Sequence, residues 1–194
     1  MTPLVAKIVF CVMAVAWYVI RYPFERKAGR TKVARNARDT RETVLMLISL
    51  SGLGIVPFVY VATGFPAFAD RPFVPALAWL GCFVAVVGLV MFRLTHKALG
   101  RYWSVTLQMR EGHRLIQDGV YGRVRHPMYT AFWLWAVAQV LLLPNWVAGL
   151  SGFVGFGTLF AFRVGREERM MLETFGEEYR GYASRTARLI PWIY

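Results

Sequence analysis

Apolar residues in this chain come in long uncharged runs separated by short basic stretches. Leu4 to Ile20 is interrupted only by Lys7, while Thr43 to Ala69 and Phe73 to Phe92 carry no charge at all. About 20 such residues suffice for a helix to cross the hydrocarbon of a bilayer, so each run predicts one span. The last run, Pro127 to Phe162, is too long for one crossing and slightly short for two. It is broken at Pro144-Asn145, between Leu143 and Trp146. Proline with asparagine between apolar runs is a turn signal, and the reading is a tight helical hairpin, with a single kinked helix as the alternative. The fold class expected is all-α: a polytopic membrane protein of five transmembrane helices, the last two forming the hairpin.

Composition agrees. Of 194 residues, 57% are hydrophobic and 18% charged, against about 25% charged in an ordinary soluble domain. The net charge of +12 raises the question of a nucleic-acid partner. Its distribution gives a different answer. All 23 basic residues except Lys7 and Arg71 lie in the segment after the first run, the segment before the hairpin, and the C-terminal tail. Five spans place all three segments on one side, which the positive-inside rule makes cytoplasmic, with the N-terminus outside. Anionic lipid headgroups are the simpler partner for these arginines, and no nucleic acid is expected. The first run lacks the positive n-region and cleavage site of a signal peptide, so it reads as a retained anchor.

Cys11 and Cys82 sit far apart in apolar runs, and His96, His113 and His126 lack metal-ligand spacing, so neither a disulfide framework nor a metal site is expected. There is no repeat and no compositional break. The chain reads as a single domain, 1–194, with three spans in 1–94 and the functional half in 95–194. Gly81 with Gly88, and Gly149, Gly152 and Gly155, stand at helical spacings that let backbones approach closely in lipid.

Polar and aromatic residues meet in the segment from Thr95 to His126 and in the tail from Arg163. Both abut the hairpin ends and are expected to face each other. Pro127 suits the first position of the fourth helix, and the free amides of that turn, with Arg125 alongside, make an anion-binding corner. Arg125 also reads as a snorkelling interface arginine, His126 as a cap and Tyr129 as a belt aromatic. The fifth helix is expected to run past Phe162 to about Phe175 and stop at Gly176. Glu167 and Glu168 cannot share a helix face, so one is expected to pair with Arg163 while the other turns inward.

Taken in order, Gly112-His113-x-Leu115, Gly119-Val120-Tyr121-x-x-x-Arg125-His126-Pro127-x-Tyr129, the hairpin, Arg163-x-x-x-Glu167-Glu168 and Phe175-Gly176-x-Glu178-Tyr179-x-x-Tyr182 resemble the isoprenylcysteine carboxyl methyltransferase family. The same signature extends to related phospholipid and thiol methyltransferases of the membrane. The resemblance covers about half of the chain, Leu99 to Pro191. It implies an integral membrane enzyme that binds S-adenosylmethionine in a cytosolic pocket formed by the loop before the hairpin and the tail, and releases S-adenosylhomocysteine. Carried over position by position, His113, Leu115, Gly119, Val120, Tyr121, His126, Pro127, Tyr129, Glu167 and Glu168 would line the cofactor pocket. Arg125 and Arg163 would stand at the reaction centre.

A carboxylate acceptor is already ionised near neutrality and needs no base, and two arginines suit it. An amine acceptor must lose a proton and would ask His126 or a glutamate to take it. The expected substrate is therefore a lipid-linked small molecule or protein C-terminus bearing a prenylcysteine-like carboxylate. A phospholipid amine or a thiol is the alternative acceptor, and a non-catalytic membrane scaffold is the rival of another class.

Overall fold

The computed structural model describes residues 1–29, 33–36, 39–104, 108–110, 112 and 114–191. The chain begins with α1, Pro3–Ala28, where Thr2 accepts a hydrogen bond from the Val5 amide and Pro3 occupies the first turn. It outlasts the apolar run because Arg26 and Lys27 suit the negative end of a helix. Helix α2, Thr40–Leu50, is capped by Asp39 and continues through a π-helical turn, Ser51–Ile55, into α3, Val56–Thr63. The second apolar run is thus helical to Thr63 and then becomes a loop. Helix α4 spans Pro75–Leu99, α5 Pro127–Leu142, α6 Trp146–Phe175 and α7 Glu177–Arg185.

Among the described residues, four helical stretches are long and apolar enough to cross a membrane: Pro3–Ala28, Thr40–Thr63, Pro75–Leu99 and Trp146–Phe175. The expected fifth, α5, has 16 residues, a length of about 24 Å at the helical rise against a hydrocarbon thickness of about 30 Å. It does form a hairpin with α6. Leu143 and Asn145 have extended backbone, and Asn145 caps α6 by accepting from the Ala148 amide. Among the described residues, one small strand pair is absent from the all-α expectation. Strand β1, Val33–Asn36, pairs antiparallel with β2, Gln108–Arg110.

Close backbone contact holds the helices together, as the small residues foretell. Gly81 and Gly88 of α4 lie against Leu141, Leu142 and Leu134 of α5. Where the π turn meets α6, a Cβ on Gly155 would sit 2.7 Å from the Ile48 carbonyl oxygen and 3.0 Å from Cα of Gly52. Any larger residue there would force the two helices apart. Gln139, wholly buried in α5, donates to the carbonyls of Gly52 and Ala148 at 3.1 and 2.6 Å, tying the hairpin to the π turn.

The two ends of the bundle differ. At one end the hairpin turn meets the α3–α4 loop, where Asn145 donates to Pro66 O and to Asp70 at 2.7 and 2.8 Å. The other end gathers the start of α2, the start of α5, the polar extension of α6 and the tail.

Candidate active site

Tail and loop are joined by backbone first. Val124 and Ala187 form a parallel bridge, in which Arg125 N donates to Ala187 O at 2.8 Å and His126 N to Arg188 O at 3.1 Å. Thr130, one turn into α5, donates its hydroxyl to Leu189 O at 2.8 Å. Because α6 stops at Gly176 and α7 folds back, the tail returns across the start of α5.

This frame assembles two ionic groups. In the first, Glu168 is the hub. Arg188 Nη2 and Nε donate to its two oxygens at 2.7 and 3.1 Å. Arg125 Nε donates to Oε1 at 3.2 Å, and His126 Nε2 lies 3.2 Å from the same oxygen. Arg125 also donates to the carbonyls of Ala183 and Thr186 at the end of α7. Glu168 lies in the polar extension of α6, beyond Phe162 where its uncharged stretch ends. Burial alone would raise its pKa, but the hydrogen bonds from His126 and Arg188 outweigh burial and hold the carboxyl at about 2.

In the second group Arg163 is the centre. Its Nη1 lies 3.1 Å from Glu42 Oε1 and its Nε 3.9 Å from Glu167 Oε2. The Tyr129 hydroxyl donates to Glu167. Both Glu42 and Arg163 are buried, at 0% and 8% exposure. The His126 and Tyr129 rings stack at 5.2 Å and join the two groups, while Phe156 and Phe160 flank Tyr129 at 5.9 and 5.6 Å.

Of the residues singled out in the sequence, Arg125, His126 and Glu168 come together in the first group, and Tyr129, Arg163 and Glu167 in the second. Glu167 pairs with Arg163 while Glu168 turns to the loop and tail. Pro127 is buried at the head of α5. Gly119 opens a single 3-10 turn, Gly119–Gly122, with φ of +61°, a conformation that favours glycine. Leu115 and Val120 are half-buried on this stretch. Tyr121 is where the stretch meets the acids: burial and the nearby Glu167 carboxylate push its hydroxyl well above the usual value, and its carbonyl accepts from the Tyr182 hydroxyl at 2.8 Å. His113 lies outside the described residues.

Two members escaped the sequence reading. Glu42 carried a signal, since an acid opening an apolar run three residues after an aspartate reads as a helix start. Arg188 carried none, because no helical periodicity relates it to Glu168. A cavity of about 330 Å³ lies elsewhere, between α1 and Val61 of α3.

Fold and site together define an integral membrane protein with an ionic centre at one end of a helical bundle. A sequence model of the isoprenylcysteine carboxyl methyltransferase (ICMT) family matches residues 79–173, from α4 through most of α6. A probable protein-S-isoprenylcysteine O-methyltransferase of Oryza sativa subsp. indica is 29% identical over 131 residues, covering 66% of this chain and 67% of that one. The protein-S-isoprenylcysteine O-methyltransferase of Schizosaccharomyces pombe is 34% identical over 89 residues, 46% of this chain and 38% of its own. Among solved structures, the eukaryotic intramembrane Ras methyltransferase ICMT, without a monobody, aligns with a TM-score of 0.53 at 23% identity. That alignment covers 82% of this chain and 55% of the other, and it speaks for the fold. Family model, relatives and fold together support the isoprenylcysteine carboxyl methyltransferase family for this chain, and with it a membrane methyltransferase.

Proposed function

We propose that this chain transfers a methyl group from S-adenosylmethionine to a lipid-linked acceptor at the membrane surface, and that the accepting group is the carboxylate of a prenylcysteine-like substrate. The observation that carries the reading is the first ionic group, two arginines around one glutamate at the N-terminus of α5. Its formal charge is positive, and it stands where a membrane-borne carboxylate meets water.

The donor set fits the cofactor. The first turn of α5 has no side-chain cap, so its free amides suit the cofactor's carboxylate. Glu167 and Glu168 offer acceptors to an ammonium group or ribose hydroxyls, and the stacked His126 and Tyr129 rings offer an apolar wall. Pro127, Tyr121, Val120, Gly119 and Leu115 would complete it, with His113 carried over on the resemblance alone. Bound S-adenosylmethionine would supply a methyl group on a positively charged sulfonium and leave as S-adenosylhomocysteine.

The chain's own part is alignment and exclusion of water. Arg125, with Arg188, neutralises and orients the acceptor carboxylate, which needs no base. Arg163 faces two acids, so its contribution at the reaction centre is to organise them. The acceptor's lipid tail stays in the hydrocarbon.

We place the site and the tail in the cytoplasm with the N-terminus outside, since the basic residues other than Lys7 and Arg71 fall in three segments that five spans would put on one side. Helix α5 serves as a short fifth crossing, an assignment supported by the contact of its turn with the α3–α4 loop.

The test uses detergent-purified protein, methyl-labelled S-adenosylmethionine and three acceptors: a prenylcysteine, phosphatidylethanolamine and an alkyl thiol. Base-labile label on the prenylcysteine is the expected result. Label on the amine or thiol instead overturns the acceptor assignment, and no label together with no binding of S-adenosylhomocysteine leaves a scaffold.

A further inference from the structure

We propose that Glu42 is a positioning residue for the methyl transfer: it holds the Arg163 guanidinium in place from α2, making the N-terminal half of the chain part of the site. Glu42 lies outside the 79–173 region that matches the family, and the inference rests on the functional reading above.

The placement of Glu42 sets it apart from an ordinary helix-start acid. It is in the first turn of α2, its amide held by Asp39 Oδ1 at 2.7 Å, yet its side chain is fully buried. A carboxylate taken out of water at the head of a membrane span is costly unless a charge answers it. The answering charge is Arg163, from the far half of the chain, at 3.1 Å. Neither Glu42 oxygen completes an aligned hydrogen bond among the described residues, so charge, not hydrogen-bond geometry, holds the pair.

Packing alone gives no reason for the pair. The contact of α2 and its π turn with α6 is already made by Ile48 and Gly52 against Gly155. An exposed rung one helical turn away, Arg166 Nη2 to Asp39 Oδ2 at 2.8 Å, already fixes the register of the two helices. Buried ion pairs are often replaceable by apolar residues without loss of stability. What Glu42 adds is a pull on Arg163 opposed to that of Glu167. With both acids present the guanidinium sits between them, 3.1 Å from one and 3.9 Å from the other. Without Glu42 it closes on Glu167, which competes with the Tyr129 hydroxyl for the same Oε2. The disturbance therefore passes from α2 to the wall formed by Tyr129 and His126.

The experiment compares wild type, Glu42→Gln, Glu42→Asp, Arg163→Gln and the Glu42→Gln/Arg163→Gln double variant. It reads kcat and both KM values in detergent micelles, with the thermal midpoint of each. Wild-type turnover tests the functional reading on its own; without it, that reading falls and this proposal falls with it. Given an active wild type, Glu42→Gln is expected to lower kcat about ten- to a hundredfold, with each KM within about threefold. The Asp variant keeps the charge at shorter reach and should recover part of the loss. In the Arg163→Gln background, the Gln substitution at 42 should change kcat by less than about twofold. A folded Glu42→Gln protein with wild-type kcat overturns the proposal, as does a Gln effect undiminished without Arg163. If Glu42→Gln does not fold, the Asp variant decides, because wild-type kcat in that variant also overturns it.

Discussion

The two ionic groups at the loop end of the bundle use the same residue types in opposite proportion. Around Glu168 one acid faces two arginines, in a half-buried setting stitched by the backbone of the returning tail. Around Arg163 one arginine faces two acids, deeper and between helices. Among the described residues the formal surplus is positive in the first and negative in the second. On the proposed function, a methyl donor carrying a sulfonium and an acceptor carrying a carboxylate would need both signs close together, and the stacked His126 and Tyr129 rings stand at the junction of the two groups. The difference also assigns labour. The first group can rearrange toward an incoming anion because its partners come from a loop and a tail; the second is fixed by two spans.

The largest effect expected from breaking this comparison is at the hub of the first group. Glu168→Ala removes the shared acceptor of Arg125, His126 and Arg188 at once. The two arginines are left to repel each other and the tail loosens from α5. Turnover should fall a hundredfold or more, while helix content by circular dichroism stays near wild type. Glu167→Ala leaves Arg163 its pairing with Glu42 and should cost less. Equal losses in the two variants would mean that the contrast between the groups has no bearing on catalysis.

How far the sequence foretold this depends on what sets each feature. The hairpin was legible because Pro144-Asn145 interrupts an otherwise continuous apolar run, and Asn145 does cap α6. The glycine positions were legible because close helix contact in lipid leaves few alternatives. Helix ends were legible where proline or glycine marks them, since Pro127 opens α5 and α6 stops at Gly176 as expected, but not where hydropathy alone was the guide. Hydropathy marks where lipid ends, and α1 and α4 continue into polar surroundings to Ala28 and Leu99, whereas the second run leaves the helix at Thr63. The pairing of β1 with β2 joins segments too short and too polar to announce themselves. Of the side chains that the structure brings together in the two ionic groups, Arg125, His126, Tyr129, Glu167 and Glu168 had been singled out from the sequence pattern and the family resemblance. Glu42 and Arg188 required the tertiary arrangement, since each meets its partner through helix packing or chain return and not through any fixed separation.

A smaller effect sharpens the electrostatics of the first group. The Glu168 carboxyl is held at about 2, below the usual value of about 4.3. Its ionised form is thus favoured by the folded state. The stability this contributes is fully present above the unfolded value and is lost as pH falls from there toward about 2. Thermal midpoints measured from pH 7 to pH 3 should stay level to about pH 5 and then decline. In Glu168→Gln the decline should be shallower, because the group that takes up the proton is gone. An unchanged slope in that variant would assign the acid sensitivity to other carboxylates.

The smallest effect belongs to the outer rung between α2 and α6. Asp39 caps α2 and pairs with Arg166, but the carboxylate stands about half exposed, where water and salt screen the pair. The hydrogen bond from Arg166 lowers its pKa, with help from the Glu42 amide. Asn in its place keeps an oxygen for the cap and loses only the charge. Asp39→Asn should leave kcat within about twofold of wild type and be indifferent to added salt, although it sits one helical turn from Glu42. A loss comparable to that of Glu42→Gln would show that the junction of α2 with α6 acts as a whole, and would take from Glu42 the distinct role that its burial gives it.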